Sequence, residues 1–144
     1  MVNNINVSLF SGGSPPSDEI ADRQILCGPL YSRCEVEKAL ESGQPVTLAT
    51  VKCIKNVQDL LLDDEDVKQL VELAISSGQF RNSQWCILKT NGGIRTWAAC
   101  DGYAVNRDEW NDAAFKNMPV SYYIKFAIGK SGSVILNISC HLSS

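Results

Sequence analysis

At 144 residues the chain is long enough for one domain with its own core. Its 44% hydrophobic and 20% charged content is ordinary for a globular protein. A net charge of −3 argues against a simple basic nucleic-acid binder, and no apolar run approaches the roughly 20 residues of a membrane-spanning helix.

The start, Met1-Val2-Asn3-Asn4, has no basic n-region and does not read as a secretory signal. The expected location is therefore the cytoplasm, with no membrane association. The six cysteines form no Cys-x-x-Cys pair. They read as reduced thiols packed like small apolar residues rather than as zinc ligands. No metal and no cofactor are expected. Charge is unevenly spread: residues 1–78 carry 6 Lys and Arg against 12 Asp and Glu, while residues 79–144 carry 7 against 4. An acidic half is joined to a mildly basic one, which keeps a polyanionic ligand in view.

Residues 1–30 read as a partly flexible N-terminal extension, and residues 31–144 as a single α+β domain. Val7 to Phe10 suits a short strand, and Ser11-Gly12-Gly13-Ser14-Pro15-Pro16-Ser17 breaks regular structure. Ser32 with Glu35 forms a capping box that starts a helix. Cys34, Val36 and Leu40 face inward on it, and Gly43 ends it. A second helix is expected from about Thr50 to Leu60, with Val51, Ile54, Val57, Leu60 and Leu61 at helical spacing. Asp63 with Asp66 caps a third, whose buried stripe is Val67, Leu70, Val71 and Ala74. The acidic run from Asp63 to Asp66 is explained by capping and the helix dipole, not by a metal.

After Gly78 the pattern turns to strands. Residues 79–89 and 94–105 flank Asn91-Gly92-Gly93, a hairpin signal. Residues 106–118 read as a polar connection, with a helical turn near Arg107 to Trp110. Residues 120–129 and 133–141 form a second hairpin. The expected fold is thus N-terminal helices packed on a C-terminal antiparallel sheet of about four strands.

The last hairpin fixes a register. Tyr122, Ile124, Phe126 and Ile128 alternate on one strand, and Val134, Leu136, Ile138 and Cys140 on the next. Only a three-residue loop, Lys130-Ser131-Gly132, puts both apolar rows on one face, and Gly132 suits its left-handed third position. Ile128 then pairs with Val134, and Lys125 with Asn137. Tyr123, Lys125, Asn137, Ser139 and His141 gather on the other, polar face.

Those side chains suit metal-independent RNA cleavage. A 2′-hydroxyl must lose a proton, the 5′-oxygen must gain one, and the phosphorane charge must be stabilised. His141 fits general acid–base work. Lys125 or Arg81 fits charge stabilisation. Tyr123 fits hydrogen-bond donation, or stacking on a base of single-stranded RNA. The contrasting expectation is a solvated sheet face that serves protein interaction and cuts nothing.

The order of phrases over residues 31–142 carries a resemblance. These are the helix before Gly43, Leu61-Leu62-Asp63, the helix from Asp66, Phe80-Arg81-Asn82-Ser83, Asp101-Gly102-Tyr103, Tyr123-Ile124-Lys125 and Ile138-Ser139-Cys140-His141. The chain resembles the MqsR-type toxins, ribonucleases of bacterial toxin–antitoxin systems with a RelE-like fold. The resemblance implies RNA as substrate and a cognate antitoxin as partner. It implies a site in which Asn82, beside Arg81, stands where the family has lysine. Cys100 stands for a glutamine, Tyr123 is the retained tyrosine, and His141 replaces the final lysine. His141, Tyr123 and Arg81 are then the candidate catalytic residues. Lys125, Asn82, Tyr103 and Ser139 are the candidate substrate-binding residues.

Overall fold

The computed structural model describes residues 3–17 and 22–138, apart from the side chains of Asn137 and Ile138. His141 and Ser139 therefore lie outside the described residues.

The chain runs β1 (Asn3–Asn6), β2 (Gln24–Ile25), α1 (Arg33–Glu41), β3 (Thr47–Leu48), α2 (Val51–Asp59), α3 (Asp64–Ser77), β4 (Gln79–Asn91), β5 (Ile94–Asn111), β6 (Lys116–Ile128) and β7 (Val134–Ile138). All strands join one seven-stranded sheet, ordered β2-β4-β5-β6-β7-β3, with β1 beside β5. The expectation of a sheet of about four strands is thereby overturned. Strand makes up 44% and helix 25%, so the helices are a layer on a larger sheet.

Three of the additional strands are short and carry no apolar alternation. β1 pairs in parallel with β5 from Asn3↔Ile94 to Asn6↔Trp97. β2 pairs with β4, and β3 runs parallel to β7. They are held by backbone bonds, such as Asn3 N–H to the Gly93 carbonyl at 2.7 Å and Val7 N–H to Trp97 at 3.0 Å. The expected strand at Val7 to Phe10 sits earlier, at Asn3–Asn6. Residues before 31 also help to build a second cluster around Trp85, Trp97 and Ala99, against which Phe10 and Leu30 pack.

Local chemistry explains the helices. Ser32 and Glu35 close the capping box of α1, and Asp63 and Asp66 close that of α3; each cap contributes about 1 kcal/mol. Val67, Leu70, Val71 and Ala74 are buried on α3. Sequestering a large aliphatic side chain of this kind stabilises by about 1.5–3 kcal/mol. Two expectations fail here. Cys34 is exposed, and α2 is rotated so that Cys53 and Val57 are buried while Val51 is 84% exposed and Leu61 88% exposed. The Cys53 thiol reaches the Leu136 carbonyl at 3.4 Å, which seats α2 on β7 by a different stripe.

The second expected hairpin is present in the expected register. Ile128 pairs with Val134 and Lys125 with Asn137. Gly129 N–H closes on the Ser133 carbonyl at 2.8 Å, leaving Lys130-Ser131-Gly132 as the loop. Gly132 has φ +89, a left-handed conformation that any other side chain would strain. Tyr122, Ile124, Phe126, Ile128, Val134 and Leu136 form one buried row, under α1, α2 and α3.

Residues 106–118 are not a connection. They continue β5 and β6 as a paired ribbon to Asn111↔Lys116. The ribbon extends past the end of β4, which pairs with β5 only as far as Ala104. The helix side of this ribbon carries Arg107 and Glu109, with Arg107 ion-paired to both Glu109 and Asp66, in place of an apolar row, which is why its strands resemble a loop in the sequence.

Candidate functional site

Strand pairing decides which side chains share the face opposite the helices, because directly paired residues point the same way. Asn82 pairs with Gly102, and Gly102 with Lys125. Ala104 pairs with Gln79 on one side and Tyr123 on the other. This row crosses β4, β5 and β6 on the polar face that the register predicts.

Arg81 joins it through an irregularity. The β4–β5 register shifts between Phe80 and Asn82, so Arg81 is the extra residue of a bulge. Bulges re-aim side chains and recur beside functional sites. Arg81 thereby lines a cleft of about 560 Å³ together with Ser77, Gln79, Ala104, Asn106, Ser121, Tyr122 and Tyr123.

Tyr123 is one of the residues that line the cleft. Its hydroxyl donates to Asn82 Oδ1 at 3.1 Å. The phenol lies across Gly102, where an added Cβ would meet Tyr123 Oη at 2.5 Å and Asn82 Oδ1 at 3.0 Å. Lys125 Nζ stands 5.6 Å from the centre of the Tyr123 ring. Burial, reinforced by the neighbouring Cys86, pushes the Tyr123 phenol above its ordinary range, and Arg81 offsets this in part. The phenol is therefore a protonated donor at neutral pH. Beside it, Ser121 Oγ donates to Asn106 Oδ1 at 2.7 Å.

Two buried cysteines underlie Lys125. Cys86 and Cys100 are 6% and 1% exposed, and their thiols donate to the Gln84 carbonyl at 3.9 Å and the Ala98 carbonyl at 3.6 Å. The neighbouring Cys100 side chain is the main reason the Cys86 thiol is held below its ordinary range, with Lys125 and Arg23 contributing. The neighbouring Cys86 side chain and burial push the Cys100 thiol up. Cys100 packs beneath the polar row.

Tyr103 does not join the site. It is 8% exposed on the helix side. It stacks on Phe126 with centroids 5.6 Å apart and planes at 9°, and Phe80 meets its edge at 5.6 Å. It faces away because its pairing partner is Ile124, a core residue. The structure therefore brings together Arg81, Asn82, Tyr123 and Lys125. It excludes Tyr103, while Ser139 and His141 lie outside the described residues.

Gly102, Asn106, Gln79 and Ser121 were missed by sequence reasoning. The hairpin signal at Asn91-Gly92-Gly93 set the start of the β4–β5 pairing. The bulge at Arg81 and the continuation of β5 past 105 bring these four residues to the cleft, and neither carries a local sequence mark.

No protein-family model, curated protein or solved structure matches the chain. Among the described residues no helix is long and apolar enough to cross a membrane.

Proposed function

We propose that the chain is a toxin-like endoribonuclease of the cytoplasm that cleaves single-stranded RNA by metal-independent acid–base chemistry. The observation that carries this reading is the Tyr123 hydroxyl, held on Asn82 over Gly102, with Arg81 in the same cleft and Lys125 beside its ring. A protonated phenol and two cations match what a phosphorane requires: a hydrogen-bond donor and positive charge aimed where negative charge develops. The phenol's raised range suits donation and makes it a poor base. The base role falls to His141, the single histidine of the chain, whose ordinary pKa lies near neutrality. The likeness of these phrases to MqsR-type toxins supports the same substrate, and a cognate antitoxin as the controlling partner.

Expression in a bacterial host tests the reading. Growth arrest is expected, and His141→Ala or Tyr123→Phe should relieve it, because a positioned acid or base gives about 10²–10⁴-fold in rate. Equal arrest by both variants at equal protein level would place the chemistry elsewhere.

A second reading is a protein-interaction module that cuts no RNA. Its support is the β5–β6 ribbon, where Trp110 is 59% exposed and Phe115 82% exposed. Large apolar side chains held in water favour a binding partner. Tight binding of an antitoxin-like protein with no RNA cleavage would favour it over the first.

A further inference from the structure

The β5–β6 ribbon has an open backbone edge. β5 pairs with β4 only through Ala104, and among the described residues 105–111 pair on one side alone, with β6. Such an edge presents a row of unused N–H and C=O groups and is a template for another strand. The other strand of the ribbon is a poorer template, because Pro119 in β6 removes a donor.

Side chains along the open edge say what fits there. On the helix side Arg107 is already held, by Asp66 at 3.0 Å, Gln69 at 3.2 Å and Glu109 at 3.2 Å, and Glu109 also accepts from the Tyr122 hydroxyl. On the opposite side Asp108 is exposed and forms no ion pair among the described residues. Two residues on, Trp110 is 59% exposed and its indole N–H is fixed on Asp112 at 2.8 Å.

A second copy of the chain is a poor occupant. Antiparallel pairing about a two-fold axis sets the central residue against its own copy. Centred on Arg107 or Glu109, it would oppose that residue to its own copy; centred on Asp108, it would oppose Asp108 to itself and gain only Arg107–Glu109 pairs, which each copy already makes within itself. Like charges directly opposite destabilise a strand pair. RNA is equally ill-suited, since Asp108 and Asp112 flank the exposed indole.

We infer that the free edge of β5 at residues 105–111 receives an extended segment of a different protein. That segment carries Lys or Arg opposite Asp108, an apolar residue opposite Trp110, and small uncharged side chains on the helix side. Backbone bonds give the affinity and the Asp108–Trp110 pair gives the register, as in strand addition to other sheet edges. This assignment stands independently of RNA cleavage at the cleft.

The test uses the full chain and two synthetic peptides, acetyl-Thr-Val-Thr-Lys-Thr-Val-Thr-amide and the same peptide with Glu for Lys. Amide hydrogen exchange reports the site. The Lys peptide is expected to slow exchange of alternate amides within 105–111. The Glu peptide should bind about fivefold more weakly, and Asp108→Lys should reverse the preference. Trp110→Ala should weaken the Lys peptide and leave the far-ultraviolet spectrum unchanged. Protection elsewhere, no protection by either peptide, or equal binding of both would overturn the inference. So would self-association of the native chain through this edge, seen by sedimentation and abolished by Asp108→Lys.

Discussion

Gly102 has no side chain because the Tyr123 phenol occupies the space one would fill. Gly102→Ala is therefore expected to push the phenol off Asn82 while leaving the strand paired. Activity should fall about as far as in Tyr123→Phe, with little change in melting temperature. A structure of the variant with the Tyr123–Asn82 bond intact would refute the packing argument. Asp101, one residue earlier, points to the other face and fastens the start of α1. It accepts from Leu30 N–H at 2.9 Å, Tyr31 N–H at 3.1 Å and Ser83 Oγ at 2.6 Å. Burial still pushes its carboxyl above the ordinary range, against those three bonds. Between about 3.9, the unfolded value, and the raised folded value, the folded chain keeps a proton that the unfolded chain has released. This group's contribution to stability is fully present below that window and is lost as pH rises through it. Asp101→Asn should remove that slope and, by setting an amide N–H against a donor, cost about 1–3 kcal/mol. Chemical denaturation at several pH values in both proteins checks this.

At the scale of elements, much was legible because local chemistry decides it. Ser32 with Glu35, and Asp63 with Asp66, mark two helix starts by side-chain bonds that need no tertiary context. The loop Lys130-Ser131-Gly132 follows from aligning two apolar rows. The stripe of α2 was misread because four apolar residues on a nine-residue helix allow more than one inward face, and seating on β7 chose Cys53 and Val57. Leu61 records that choice. It follows α2 at φ 56, in the left-handed region where a side chain costs about 1–2 kcal/mol, and it is exposed. Leu61→Gly should therefore raise stability by about 0.5–1 kcal/mol, because relief of strain outweighs the added freedom of the unfolded chain. A lower denaturation midpoint would show that Leu61 makes a contact its exposure hides. The short strands β1, β2 and β3 were illegible because backbone pairing to a neighbour, not side-chain pattern, creates them.

For the whole molecule, the seven-stranded sheet makes two surfaces with different work. The helix side supplies the core, and Tyr103 belongs to it. The other side carries a cleft whose residues come from three strands, the bulge at Arg81 and the last residue of α3, Ser77. Tyr123 and Lys125 were legible there because a period of two fixes a side chain's face once the register is known. Arg81 required the bulge, and Gly102 required its contact with Tyr123, on a different strand. The ribbon beyond Ala104 carries the proposed protein-binding edge, and Asn106 lies both on that edge and in the cleft lining. The most direct test of the account is cleavage of an end-labelled single-stranded RNA by the purified full chain in excess EDTA, native against Tyr123→Phe. The account predicts cleavage by the native chain, products ending in 2′,3′-cyclic phosphate, and a loss of about 10²-fold or more in the variant. Intact RNA with the native chain, or equal cleavage by both proteins, would contradict it.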